Sequence, residues 1–166
     1  MKKLLGLLML FAFAAVMAHA AESTSAQGKA QAKVIAAATI THQDGALDFG
    51  TIFKNTTGGS VTVQAAAAPA PTYSNVTPAG STSTSSDHFL MENLDSGTTY
   101  TVALSSPSIE IQRTGGDEKM GVALTLSETS VSGTDTKDIY VGGKLTVGTN
   151  QAVGEYLGHY NVNVTY

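Results

Sequence analysis

The feature that most constrains this chain is the alternation of apolar and polar residues through its second half. Tyr100, Val102 and Leu104 alternate with Thr101 and Ala103. Ile109 and Ile111 flank Glu110, and Met120, Val122 and Leu124 alternate from Lys119 onward. Ile139 and Val141, then Leu145 and Val147, surround Gly142-Gly143. At the end, Tyr156, Tyr160, Val162, Val164 and Tyr166 share one face, and His159, Asn161, Asn163 and Thr165 share the other. A period of two belongs to a strand with one face buried. Beyond residue 20, no window of helical length carries a convincing 3.6 period. Many short strands separated by Gly, Ser and Asp turns predict an all-β fold, a β-sandwich of two packed sheets.

The first half is less regular. Residues 34–41 read as a strand through Val34, Ile35 and Ile40. Gln43-Asp44-Gly45 is a turn signal. Leu47-Asp48-Phe49-Gly50 begins an extended piece that ends near Phe53. Val61 and Val63 mark a further strand. The Pro-bearing stretch from Ala65 to Pro71, and the Ser/Thr-rich stretch from Ser74 to Ser86, read as a long surface connection, because proline does not fit a central strand.

The N-terminus reads as an export signal. Lys2 and Lys3 precede an apolar run from Leu4 to Ala18, which ends in Ala18-His19-Ala20. The run is short of the roughly 20 residues a membrane span needs, and small-x-small is the pattern that signal peptidase reads. Residues 1–20 are therefore expected to be cleaved, and the mature chain to be exported. It would begin with a flexible arm, residues 21–33, and continue as one sandwich domain, residues 34–166. Seven basic residues then face thirteen acidic ones. That balance gives no electrostatic reason to bind nucleic acid or anionic lipid. There is no cysteine, so burial and hydrogen bonding must stabilise the domain without a disulfide.

Catalytic patterns are hard to find. His42, His88 and His159 are far apart and lack partners at ligand spacing. Asp117-Glu118 follows Gly115-Gly116 and looks like a hairpin tip, without the spaced acidic loop of a calcium site. No serine lies in a nucleophile elbow, and Gly142-Gly143 lacks the lysine and helix of a phosphate loop. The expectation is a protein that is not an enzyme and needs no metal or cofactor.

Several stretches carry a resemblance. They are Leu47-Asp48-Phe49-Gly50, Ser108-Ile109-Glu110-Ile111, Met120-Gly121-Val122, Val141-Gly142-Gly143-Lys144-Leu145-Thr146-Val147 with Asn150-Gln151, and the ending from Gly154 to Tyr166. Together they resemble exported bacterial β-sandwich proteins catalogued as a domain of unknown function. Those proteins are similar in turn to pilins of the spore coat protein U type and to other chaperone–usher fimbrial subunits. Fimbrial subunits tend to end in a strand with a Tyr near the C-terminus and a Gly twelve residues before it, and Tyr166 and Gly154 have that separation. The chain departs from the pattern in ending on Tyr166 itself and in having no cysteine.

The resemblance implies an immunoglobulin-like Greek-key sandwich lacking its last strand. An open sheet edge and an apolar groove would be filled by a chaperone strand and then by the arm of the next subunit. The arm alternates as such a donor strand must. Ala26, Gly28, Ala30, Ala32 and Val34 fall on one face, and Gln27, Lys29, Gln31 and Lys33 on the other. The same arm also reads as a plain flexible leader to a self-complete domain. Two functions therefore stand side by side. One is a subunit of a surface fibre that polymerises with itself, with a periplasmic chaperone and an outer-membrane usher as partners. The other is a self-contained secreted or periplasmic binding module, for carbohydrate. The absence of Trp counts mildly against sugar stacking.

Overall fold

The computed structural model describes residues 23–166, apart from 44 and 82. The expected signal segment, residues 1–20, lies outside the described residues. Two units are distinct, residues 1–33 and residues 34–166. In the first, residues 23–33 form neither strand nor helix and are exposed along their length.

The second unit is all-β. Its strands are β1 (Thr39–His42), β2 (Gly59–Val63), β3 (Thr72–Ser74), β4 (Asp87–Leu94), β5 (Thr99–Leu104), β6 (Ser108–Arg113), β7 (Lys119–Leu126), β8 (Ser130–Ser132), β9 (Asp135–Val147), β10 (Tyr156–Leu157) and β11 (Val162–Thr165). All pairings between these strands are antiparallel. The larger sheet runs β1-β4-β9-β7-β6-β10, with β2 and β3 joined to it through β9. The smaller sheet is β11-β5-β8.

β9 organises the larger sheet. Its first half pairs with β4 and its second half with β2, while β7 runs along its other edge from Val141 to Thr146. Gly142 and Gly143, which the two apolar pairs surround, both lie inside one strand of 13 residues. The reason is proximity. A Cβ on Gly142 would collide with the backbone of Val63 and Ala65, and one on Gly143 would stand 2.7 Å from the Ala123 carbonyl. Glycine here admits neighbouring backbone instead of breaking the strand.

Alternation places the core as expected. Met120, Val122 and Leu124 are buried on β7, and Tyr100 and Val102 on β5. One cluster joins Val61, Val63, Val122, Val141, Leu145 and Val147 with the loop residues Phe49 and Val76. A second joins Met91 and Leu94 of β4, Ile139 of β9, Tyr100 and Val102 of β5, and Val131 of β8. The second cluster draws on both sheets, so the layers pack face to face there, as in a sandwich. Phe89, Leu126 and Val162 pack against both clusters.

Several boundaries need correction. The strand expected over residues 34–41 begins only at Thr39, and Val34 is 94% exposed. The piece from Leu47 to Phe53 makes isolated bridges, Asp48 with Ser85 and Ile52 with Pro78, and no continuous ladder. The connection expected to run without strands from Ala65 to Ser86 contains β3. The last strand, expected to be continuous from Tyr156 to Tyr166, is two. β10 pairs with β6 in the larger sheet, and β11 pairs with β5 in the smaller one. A chain that changes sheets must bend between them. Gly158 sits at the bend, where a Cβ would meet Ile111 Cγ2 at 2.8 Å and the Glu110 carbonyl at 3.0 Å.

Candidate functional site

A wide opening in the domain follows from that change of sheet. Between residues 45–55 on one side and residues 151–162 on the other lies a groove of about 1400 Å³. Its floor is the apolar face of the larger sheet: Ile109 and Ile111 from β6, Met120 and Val122 from β7, Leu145 and Val147 from β9. Along β6 this face is only half-buried, whereas on β7 the corresponding residues are buried. Small-molecule pockets are closed clefts of roughly 300–1,000 Å³. A larger open trough suits a length of polypeptide.

One wall offers strand edges. β10 ends the larger sheet and β11 ends the smaller one, so a single C-terminal segment supplies an edge of each. Across the groove, residues 48–53 spend one side of their backbone on the stretch 77–85: Asp48 N–H donates to the Ser85 carbonyl and Phe53 N–H to the Thr77 carbonyl, both at 2.9 Å. The rim is apolar and open. Phe53 is 60% exposed, Val153 69% and Leu157 59%, and all three line the groove. Exposed apolar side chains grouped in this way mark interaction surfaces.

The C-terminal wall is held by polar contacts. The Tyr156 hydroxyl donates to the Ala152 carbonyl and accepts from Gln151 Nε2, both at 2.8 Å. Arg113 Nη1 donates to the Val153 carbonyl at 3.4 Å. Its Nε and Nη2 grip Glu118 at 2.7 and 3.1 Å, and these bonds hold the Glu118 carboxyl below the usual carboxylate range. Gly154 has φ +151°, and a Cβ there would stand 2.8 Å from Arg113 Cδ.

One end of the groove is closed by a cluster that sequence reading missed. Among the described residues, Asp87 is the buried charged one. Its Oδ1 accepts from His42 Nε2 at 2.7 Å and from the His88 N–H at 2.9 Å, and its Oδ2 accepts from the Tyr160 hydroxyl at 2.5 Å. Burial, and then the Asp87 carboxylate, push the Tyr160 hydroxyl far above the usual tyrosine value. β1, β4 and the turn between β10 and β11 are thereby joined. His42 and Asp87 are 45 residues apart, and Asp87 and Tyr160 are 73 apart, so no local motif announced them.

The residues singled out from sequence divide into two groups. Gly154, Tyr156, Tyr160 and Val162 line the groove. Val164 packs against the second cluster, and Tyr166 is 65% exposed with its ring 5.3 Å from that of Tyr100. Ala26, Gly28, Ala30 and Ala32 lie in the exposed arm, outside any strand, and Val34 follows just after it. His159 is exposed, as its place on the polar face predicted.

Residues 38–166 match the family model described as Domain of unknown function (DUF4402), so the chain belongs to that family. No curated protein matches the chain, and no solved structure does.

Proposed function

We propose that this DUF4402 protein is a structural subunit of a surface fibre, in which residues 26–34 of one copy lie as a strand in the groove of the next. The groove carries this reading. It combines a half-covered apolar floor, exposed apolar side chains on the rim and edges of both sheets on one wall. An inserted strand satisfies edge backbone groups and covers the floor at the same time. Export behind residues 1–20 frees the arm and brings the subunit to the periplasm, where a chaperone strand holds the groove until an outer-membrane usher exchanges it for the arm.

The arm suits this role in pattern more than in bulk. Ala26, Gly28, Ala30 and Ala32 bury little area, and at about 25 cal/mol per Å² they contribute far less than larger aliphatic side chains would. Main-chain bonds must therefore supply much of the affinity, with Val34 as the one large apolar side chain on that face.

A second reading, a self-contained binding module, draws support from the core. Every buried hydrophobic among the described residues belongs to residues 34–166, so the domain has a core without the arm.

The discriminating experiment compares the full mature chain with a variant lacking residues 21–34. The fibre reading expects detergent-resistant, heat-sensitive ladders from the full chain and monomers from the variant. Ladders from the shortened chain sink the donor-strand idea. A sharp monomer from both favours the binding module.

A further inference from the structure

The groove and the arm carry opposite charge. The second unit, residues 34–166, has five basic residues, Lys54, Arg113, Lys119, Lys137 and Lys144, against twelve Asp and Glu, a net of −7. Three of those basic residues are already engaged with carboxylates: Arg113 with Glu118, Lys119 with Glu110, and Lys137 with Glu128. The charged groups that line the groove, His aside, are Asp48, Asp87, Glu155 and Lys54. Asp87 is buried at the end, while Asp48 and Glu155 are exposed on opposite walls. The arm has the reverse balance, with Lys29 and Lys33 against Glu22.

Position sharpens the match. In an extended strand, Lys29 and Lys33 point the same way, about 13 Å apart at roughly 3.3 Å per residue. That direction is opposite to Ala26, Gly28, Ala30, Ala32 and Val34. If the small side chains face the floor, the lysines stand at the mouth of the groove, level with its walls. We infer that Lys29 and Lys33 of one copy are steered and held by two carboxylates on the groove walls of the next, Asp48 on one side and Glu155 on the other. The inference rests on the fibre reading and adds to it a charge code for which strand the groove accepts. An apolar floor alone would accept any small-residue strand, and a rim on which Asp48 and Glu155 outnumber Lys54 disfavours acidic ones.

Attraction between exposed charges acts mainly on the rate of encounter and is screened by salt, with a Debye length of about 8 Å at physiological ionic strength. The test follows assembly of the full mature chain by light scattering at about 0.02 M and about 0.5 M NaCl. The wild type is expected to slow by roughly tenfold at the higher salt. K29E/K33E and D48K/E155K are each expected to assemble at least about tenfold more slowly than wild type at low salt, and the four substitutions combined to recover most of the rate. All the altered positions are exposed, and D48K also removes the acceptor of the Gly50 N–H, so thermal unfolding of each variant is measured beside assembly to separate charge from misfolding. Assembly of K29E/K33E at the wild-type rate overturns the charge code and leaves the groove reading intact. Failure of the wild type to assemble overturns both.

Discussion

The Tyr160 hydroxyl donates to Asp87 Oδ2 at 2.5 Å, across 73 residues of sequence. Asp87 is 6% exposed, and a buried carboxylate is tolerated only when hydrogen bonds replace its water. Tyr160→Phe removes one of those bonds and keeps the ring. The expected loss is about 1–3 kcal/mol, read as a lower denaturant midpoint with an unchanged slope. Stability equal to wild type would mean that water reaches Oδ2 and the cluster is not a structural tie.

The same bond sets a direction in pH. Burial, and then Asp87, raise the Tyr160 value in the folded state. An unfolded tyrosine ionises near about 10. Above that pH the unfolded chain gives up a proton that the folded one retains, so stability falls as pH rises. Below it the contribution is complete. Denaturation midpoints are expected to be flat in this respect up to about pH 9 and to decline beyond pH 10, with a shallower decline in Tyr160→Phe. Parallel alkaline slopes for the two proteins would show that Tyr160 does not carry the effect.

Gly142 tests the centre of the larger sheet. It is buried in β9, and an added methyl would meet the backbone of Val63 and Ala65. Flexible side chains can yield to a methyl, but paired backbone cannot. Gly142→Ala is expected to cost about 1–3 kcal/mol by overpacking. Gly121, with nothing within 4 Å of its Cβ position, is the control, and Gly121→Ala should change stability by less than about 0.5 kcal/mol. Equal thermal midpoints for the two variants would mean that β2 moves away at little cost.

These positions also show what the sequence disclosed. Alternation from Tyr100 onward located β5, β6, β7 and much of β9, because a half-buried strand must write its faces in period two. β4 escaped because Phe89, Leu90 and Met91 run together without alternating. Leu90 lies between half-buried Phe89 and buried Met91, in a strand paired on both edges. The role of Gly142-Gly143 was not legible, because close approach of a neighbouring backbone leaves no trace in one strand's own sequence. The groove was legible only in part. Tyr156, Tyr160 and Val162 stood out as an apolar face and Gly154 by its spacing from Tyr166, but the change of sheet there depends on contacts with β6 and β5. The Asp87 cluster depends on three distant segments meeting, which no local pattern records.

Phe53 and Leu157 separate the groove's role from its structure. They are 60% and 59% exposed on its rim, so Phe53→Ser and Leu157→Ser remove little that the isolated domain buries. Each is expected to change unfolding free energy by less than about 0.5 kcal/mol. A strand in the groove would cover both side chains, and completing their burial is worth about 1–2 kcal/mol apiece. The double variant should therefore bind the arm of the next copy roughly a hundredfold more weakly, at about 1.4 kcal/mol per tenfold. Ladder length in detergent, measured beside thermal unfolding of the same samples, checks both halves of the expectation. Shorter ladders with unchanged unfolding place the contact between copies at the rim. Full-length ladders would put the contact elsewhere, and a large drop in stability would show that these side chains serve the domain itself.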